Sequence, residues 1–203
     1  MISYAFKQRS ANFFLSNFVF QIPMQMDGFN FKYYAHKDVK EIQQKMTNAA
    51  LNWEEFCFRQ ERHKHHRETK TIPLIFNEEN LFKLKYWDNF ELFRNEIKEI
   101  QLLIEEANNS KGTLHSAIFI NLPARSKIYA HTDLGPIFRV SHRIHLPIFT
   151  NPDCLFTVDG KTINMKEGDI WEINNDGKKH DVVNNGDSDR IHLLMDWKPV
   201  MPL

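Results

Sequence analysis

The chain has 203 residues, 42% of them hydrophobic, which is enough to bury the core of one domain and too few for a second full one. Its 26 basic residues balance 26 acidic ones, and a formal net charge of zero argues against a surface dedicated to nucleic acid or to an anionic membrane. Two cysteines are too few for a disulfide framework, and no secretory signal or membrane-spanning apolar stretch is visible. We therefore expect a cytoplasmic protein without nucleic-acid or membrane partners.

The N-terminal half shows mainly the spacing of helices. A loosely alternating stretch rich in Phe and Val at 12–24 favours an early strand. From Val39 to Trp53, apolar residues recur at spacings of three and four, which indicates one face of an amphipathic helix. Asp88 is a candidate N-cap for a second helix, because apolar residues then repeat at helical spacing from Phe90 to Ile104 before NNSKG supplies a stop.

Three histidines crowd the segment RHKHHRE, at His63, His65 and His66. Sequence neighbours this close rarely offer the geometry that a closed metal site needs. We therefore favour a solvated loop over a metal cluster at this segment. A short strand at 71–76 is expected to follow it.

After Gly112 the pattern changes to about eight short strands separated by turn signals, such as the hairpin signal Asp159-Gly160. This succession favours a jelly-roll or cupin-like double sheet, mainly β, with the earlier helices against one face. We expect a single domain over residues 1–203, in which 1–112 form a helix-rich supporting part and 113–198 form the β core.

One stretch of this β core offers a set of metal ligands. His131 and Asp133 are two positions apart, and on an extended chain such side chains project to the same side. His180 offers a third ligand further along the chain. Two imidazoles and one carboxylate form the facial triad of non-haem Fe(II) oxygenases, which leaves coordination positions open. The sequence therefore predicts an Fe(II) site at His131, Asp133 and His180.

Two strands place basic side chains on the same interior as this site. Period-two alternation puts Arg143 and His145 on one face of SHRIHLPI, and Arg190 and His192 on one face of the last strand. A guanidinium in an apolar interior needs an anionic partner, and a dicarboxylate co-substrate or another acidic ligand would serve. An internal salt bridge for either arginine, and a hydrogen-bonded core histidine at His145, are the alternatives.

At these residues the chain resembles the aspartyl/asparaginyl β-hydroxylase family of Fe(II)- and 2-oxoglutarate-dependent dioxygenases, which includes small bacterial proline hydroxylases. The matching segments are HTD, HRIHLPI, GDIWEINN, HDVVNNG and DRIHLLMDW. The animal aspartyl hydroxylases have glycine where this sequence has Asp133, so the resemblance supports the complete triad of other members. It also implies a double-stranded β-helix core, with Fe(II), 2-oxoglutarate and O₂ as cofactor and co-substrates.

The resemblance further implies roles for the interior residues. Arg190 would bind the distal carboxylate of 2-oxoglutarate, and we assign His145 to the co-substrate as well. We assign Arg143 and His192 to substrate binding, with support of a neighbouring ligand as the alternative for His192. Family chemistry implies oxidative decarboxylation of 2-oxoglutarate to succinate and CO₂, coupled to hydroxylation of a C–H bond.

Arg143 inside the barrel favours a small carboxylate-bearing substrate, and an amino acid fits best. One alternative is β-hydroxylation of an Asp or Asn residue in a peptide. Another is a non-catalytic cupin-like protein that binds a metal or a small acid. The triad together with Arg190 distinguishes the enzyme from such a binding barrel, which would not need all four residues.

Overall fold

The computed structural model describes residues 28–200, which are mainly β and include ten strands and three α-helices. The strand expected at 12–24 lies outside the described residues. The helices are α1 Lys40–Asn48, α2 Phe58–Arg62 and α3 Asn89–Asn108. The strands are β1 Phe31–His36, β2 Lys70–Ile75, β3 Gly112–Leu122, β4 Lys127–His131, β5 His142–Phe149, β6 Cys154–Val158, β7 Lys161–Ile163, β8 Asp169–Ile173, β9 His180–Asn184 and β10 Arg190–Pro199.

Two antiparallel sheets form the core. A six-stranded sheet has the order β1-β8-β5-β10-β3-β2, and a four-stranded sheet has the order β4-β9-β6-β7. Side chains of both sheets meet in a shared apolar cluster that includes Leu122, Phe156 and Ile173. This arrangement confirms the predicted mainly β, jelly-roll fold. Strands β1 and β2 precede residue 113, so the N-terminal part contributes strands to the sheet as well as helices.

The outer face of the six-stranded sheet is covered by α1 and α3. Ile144 and Leu146 of β5 and Leu193 of β10 are fully buried in one cluster with Ile42 of α1 and Phe93 of α3. Each such side chain contributes roughly 1.5–3 kcal/mol by leaving water. The predicted alternation of β5 and β10 is therefore confirmed for its apolar half.

The inner face of the same sheet carries the basic half of the alternation. Arg143, His145, Arg190 and His192 are all buried. His145 and Arg190 face the four-stranded sheet, because the His145 ring and the Arg190 guanidinium lie 5.0 Å and 5.9 Å from the ring of Phe156 on β6. The inward orientation predicted from the sequence is confirmed.

Both predicted helices are present, with differences at their ends. Helix α1 ends at Asn48, so Trp53 lies beyond it. Asp88 precedes α3, but its own φ and ψ are helical and its side chain makes no capping hydrogen bond, so its predicted capping role is wrong. The predicted stop is confirmed, since Asn109 adopts the left-handed conformation with φ of 46°. No helix within residues 28–200 is long and apolar enough to cross a membrane.

The solvated loop predicted for RHKHHRE is correct only in part, because Arg62, His63, Lys64 and Arg67 are exposed whereas His66 is buried. Helix α2 is followed by a 3-10 turn at Lys64–His66, which packs against β4. His66 is only 6% exposed, whereas His63 is exposed. The ring of His65 stacks on that of His131 at 3.8 Å. Contacts distant in sequence therefore bury His66 and half-bury His65 in a segment whose local composition is that of a surface.

Candidate metal centre

The structure brings the three predicted metal ligands together at one end of the four-stranded sheet. Strand β4 ends at His131 and β9 begins at His180, and these residues are direct partners across the antiparallel pair. The carboxylate oxygens of Asp133 lie 3.7 Å from Nε2 of His131 and 3.5 Å from Nε2 of His180. Nitrogen and oxygen ligands bind metals at about 2.0–2.2 Å, so donor atoms this close can share one ion.

Backbone carbonyls orient both imidazoles. Nδ1 of His131 lies 2.7 Å from the carbonyl oxygen of Tyr129, and Nδ1 of His180 lies 3.3 Å from that of Lys178. When each Nδ1–H donates to its carbonyl, the lone pair on Nε2 is left for a metal. Both Nε2 atoms are the ones that face Asp133.

The protonation states of the three residues also fit a divalent cation. Burial lowers the pKa of His131 to about 4, with the neighbouring His180 adding to the effect, and burial likewise lowers the pKa of His180. Burial alone would raise the pKa of Asp133, but the positive charge of Arg143, with a smaller effect of Arg59, outweighs it and holds that pKa below its ordinary value. At neutral pH the set is two neutral imidazoles and one carboxylate, which is the state that binds a metal.

Arg143 is engaged by two carboxylates of the protein. Its Nη1 donates to Asp133 at 2.7 Å, while Nε and Nη2 donate to the two oxygens of Asp196 at 3.0 and 3.1 Å. Burial would lower the pKa of Arg143, but these two acids raise it above its ordinary value. The internal salt bridge, left open by the sequence, is present, and a substrate-binding role for Arg143 stays a prediction.

Asp196 was missed by the sequence analysis, although a signal existed. It lies six positions after Arg190 on β10, so the same alternation that turns Arg190 inward also turns Asp196 inward. An acid on the interior face of a strand next to β5 was therefore a candidate partner for Arg143. The pairing of Asp196 with Arg143 across β10 and β5 confirms this geometry.

Arg190 differs from Arg143, because within residues 28–200 no acid lies beside its guanidinium. It is 2% exposed, and within the described residues neither Nη1 nor Nη2 has a hydrogen-bond partner. Burial lowers its pKa below the ordinary value. A buried charge without a partner is strongly destabilising, so this position fits an anionic ligand such as a carboxylate of 2-oxoglutarate.

Two neutral histidines lie beside Arg190 on the same inner face. The rings of His145 and His192 are 5.0 Å apart, and burial lowers the pKa of each well below its ordinary value. Neither ring nitrogen of either residue has a hydrogen-bond partner within the described range 28–200. Each neutral imidazole carries one N–H donor that a ligand carboxylate can satisfy.

Two cavities that have four lining residues in common adjoin the metal ligands. The inner chamber lies between the sheets and has a volume of about 20 Å³, which is room for about one water molecule. It is lined mainly by His131, His145, Phe156, His180, Val182 and His192. The outer cavity has about 400 Å³ and opens beside Asp133 and Arg143. The side chains around the inner chamber must move apart to admit a dicarboxylate.

Three residues that line these cavities were not predicted as site residues. They are Arg59, His65 and His66. Arg59 on α2 donates through Nη2 to Nε2 of His66 at 2.9 Å. His65 and His66 together with His131 form a second group of imidazoles close enough to hold a metal ion. No local pattern marks Arg59, because α2 has five residues, which is too few to show a helical period.

Three solved structures have similar folds. An oxidoreductase of the 2OG-Fe(II) oxygenase family from Burkholderia pseudomallei is 10% identical with a TM-score of 0.54, and the match covers 64% of this chain and 66% of that chain. A viral collagen prolyl hydroxylase from Paramecium bursaria Chlorella virus-1, in complex with 2OG, is 9% identical with a TM-score of 0.56, covering 86% and 98%. HygX from Streptomyces hygroscopicus, with nickel, 2-oxoglutarate and hygromycin B bound, is 12% identical with a TM-score of 0.52, covering 84% and 82%.

At such identities these likenesses show the fold alone. No curated protein matches the chain. The family model described as Aspartyl/Asparaginyl beta-hydroxylase matches residues 24–199, which is most of the sequence and includes every predicted site residue. The chain therefore belongs to the aspartyl/asparaginyl β-hydroxylase family.

Proposed function

We propose that this hydroxylase acts on a C–H bond of a free amino acid or another small carboxylate-bearing molecule, with Fe(II) held by His131, Asp133 and His180. The observation that carries the proposal is the buried Arg190 guanidinium, which has no internal acid among the described residues and lies on the inner face over Phe156, a residue that lines the inner chamber together with His131 and His180. A barrel that bound only a metal would have no use for this unpaired charge.

The chain's own residues prepare the site for the co-substrate. Bound Fe(II), 2-oxoglutarate and O₂ would supply the oxidant for C–H hydroxylation, with succinate and CO₂ as products. Arg190 presents a planar fork that pairs with one carboxylate through two N–H groups. His145, which we assign to the co-substrate, supplies a further N–H from a ring that burial keeps neutral. Phe156 and Val182 line the same chamber and exclude water from it.

The size of the outer cavity supports a small substrate. Its volume of about 400 Å³ lies in the range of small-molecule sites. Apolar side chains, including Phe58, Ile118 and Leu194, line it together with Arg59 and Arg143. HygX, a neighbour of similar fold, has the small molecule hygromycin B bound. The viral prolyl hydroxylase and the family's name keep a peptide side chain as the second candidate.

We further infer that the protein forms one domain and resides in the cytoplasm. Support for the first inference comes from β1 and β2, which lie in the same six-stranded sheet as β3 and β10. Support for the second comes from Cys57 and Cys154, which are both free thiols, as expected in a reducing compartment. Detection of the intact chain in a cytoplasmic fraction by immunoblotting tests the location.

A panel of free amino acids tests the proposed function. The purified protein is supplied with Fe(II), 2-oxoglutarate and O₂, and succinate and hydroxylated product are measured separately for each compound. We expect one or a few amino acids to raise succinate formation with matching product. Stimulation by Asp- or Asn-containing peptides alone would favour the peptide hydroxylase. A protein that binds 2-oxoglutarate yet forms no succinate with either set would favour the non-catalytic barrel.

A further inference from the structure

Arg59 is a second buried guanidinium that is not neutralised by a direct carboxylate contact. It is 8% exposed, its Nη2 donates to Nε2 of His66 at 2.9 Å, and its Nη1 is buried without a hydrogen-bond partner in the part of the chain that the structure describes. His66 accepts this bond as a neutral imidazole, because a guanidinium has only donors and the Nε2 of His66 must therefore carry a free lone pair. The contact therefore fixes the direction of the guanidinium without bringing a negative charge into contact with it, and Asp133 and Asp196 act on its charge only from a greater distance.

Arg59 lies at the boundary between the two cavities. Arg59, His66, Arg143 and Leu194 line both the inner chamber and the outer cavity. A molecule in the outer cavity that presents a C–H bond towards His131 and His180 must pass beside these side chains. Arg59 is thus placed to contact the part of a substrate that stays in the outer cavity.

The other two interior arginines are less suited to a carboxylate in the outer cavity. Arg143 already donates to Asp133 and Asp196 through Nε, Nη1 and Nη2. Arg190 lies deeper, over Phe156 between the sheets. Arg59 therefore supplies the free donor of a buried cation where a substrate would lie, and the desolvation cost of that charge is offset when an anion binds.

We propose that Arg59 binds the carboxylate of the substrate through its free Nη1, and that Arg143 is a positioning residue that holds Asp133. This assignment rests on the proposed function and identifies Arg59 as the group that makes the site prefer a substrate with a carboxylate. Apolar lining from Phe58 and Leu194 then contacts the rest of the molecule. The substrate class that fits is a small monocarboxylate with an apolar body, such as an amino acid with an apolar side chain.

Matched acids and amides test this assignment by binding, without turnover. L-leucine and L-leucinamide, L-valine and L-valinamide, and L-proline and L-prolinamide are titrated calorimetrically into the anaerobic protein loaded with Fe(II) and 2-oxoglutarate. For the acids that bind, we expect about tenfold to a hundredfold tighter binding than for their amides, the usual worth of a charge-assisted contact. Arg59→Gln should weaken the acid by that factor and leave the amide and 2-oxoglutarate unchanged. Arg139→Gln, which removes an exposed arginine, is the matched control and should change none of these values.

Thermal melting establishes whether each variant is folded. If Arg59→Gln does not fold, Arg59→Lys replaces it, and its loss of the planar fork should still reduce the preference for the acid several-fold. Equal weakening of acid and amide would overturn the proposal, because it would show a structural role alone. An unchanged acid preference in the folded variant would also overturn it. If the wild type neither binds nor turns over any of these compounds, both the proposed substrate class and this assignment are wrong. If the wild type binds acid and amide equally well, only the role of Arg59 is wrong.

Discussion

At the scale of single residues, Asp133 contacts both the histidine ligands and Arg143, so its replacement could affect metal binding or the stability of the fold. It faces Nε2 of both histidines, and it also accepts a hydrogen bond from Arg143. Because Arg143 keeps Asp196 when Asp133 is removed, the guanidinium is not left without an acid. The carboxylate of Asp133 is therefore more important for metal binding than for the fold.

We predict that Asp133→Gly weakens Fe(II) binding at least about tenfold, since a charged ligand and its bond are both lost. Anaerobic Fe(II) titration measures the change, and a melting curve checks the fold. Asp187→Gly, at an exposed acid, is the control for the backbone effect of glycine. An unchanged iron titration would place Asp133 outside the coordination sphere and align this protein with the members that have glycine at its position.

The unpaired charge of Arg190 is expected to lower the stability of the ligand-free protein while it enables 2-oxoglutarate to bind. Replacing a buried charge by a packed apolar side chain often stabilises a protein by about 1–4 kcal/mol. We predict that Arg190→Met raises the melting temperature of the ligand-free protein and abolishes the further rise that 2-oxoglutarate causes in the wild type. Lower stability of Arg190→Met without ligand, or an unchanged response to 2-oxoglutarate, would contradict the role of Arg190 as the co-substrate anchor.

At the scale of elements, alternation along β5 and β10 separates the core from the site. Leu193 packs under the helices, while its neighbour His192 faces the chamber. We predict that Leu193→Ala lowers the free energy of unfolding by about 2–5 kcal/mol and leaves the affinity for 2-oxoglutarate unchanged in the folded protein. Urea denaturation and calorimetry measure the two quantities. Leu155→Ala, at a position that is 37% exposed, should cost much less and serves as the control.

The same alternation explains which elements could be predicted from the sequence. Strands β5 and β10 are long enough for period two to separate inner from outer residues, and α3 is long enough to show its apolar repeat. Helix α2 has five residues and the following turn has three, so neither shows a period. The turn packs against β4 and α2 packs against the turn, and no local pattern encodes these contacts. Strand β1 was missed because FKYYAH lies mostly exposed at the edge of its sheet and lacks a clear apolar alternation.

At the site, the sequence predicted which side chains face the interior, but it did not predict which side chains they contact. The spacing of His131 and Asp133 and the alternation of Arg190 came directly from the sequence. Whether Arg143 binds a ligand or an internal acid depends on where Asp196 lies, and that is decided by the pairing of β5 with β10. Arg59 could not be predicted as a binding residue, because its candidate role depends on the fold, which leaves its Nη1 without a hydrogen-bond partner in the described structure.

At the scale of the whole molecule, buried neutral histidines make the metal-free protein sensitive to acid. Burial lowers the pKa of His145 and His192 well below 6.5, so at acidic pH the unfolded chain binds more protons than the folded one. Their contribution to stability is complete above about pH 6.5 and is lost as the pH falls, at up to about 1.4 kcal/mol per pH unit for each histidine.

We therefore predict that the free energy of unfolding of the metal-free protein decreases between pH 7.5 and 5.5, and that His192→Leu removes one histidine's share of the slope. Urea denaturation at several pH values gives both slopes. Leu155→Ala, which removes no titratable group from a position that is 37% exposed, should leave the slope nearly unchanged. A wild-type stability that is flat or rises towards pH 5.5 would show that these histidines are not held neutral.

We propose that His131, Asp133 and His180 bind Fe(II), and that Arg190, on the inner face of the six-stranded sheet, binds 2-oxoglutarate. The visible absorption of the anaerobic protein with both added tests it most directly, because chelation of 2-oxoglutarate to protein-bound Fe(II) produces a weak charge-transfer band. We predict this band for the wild type, none for His180→Ala, and for Arg190→Lys a band that needs about ten to a hundred times more 2-oxoglutarate. Absence of the band in the wild type, or a band of equal strength in His180→Ala, would contradict the claim.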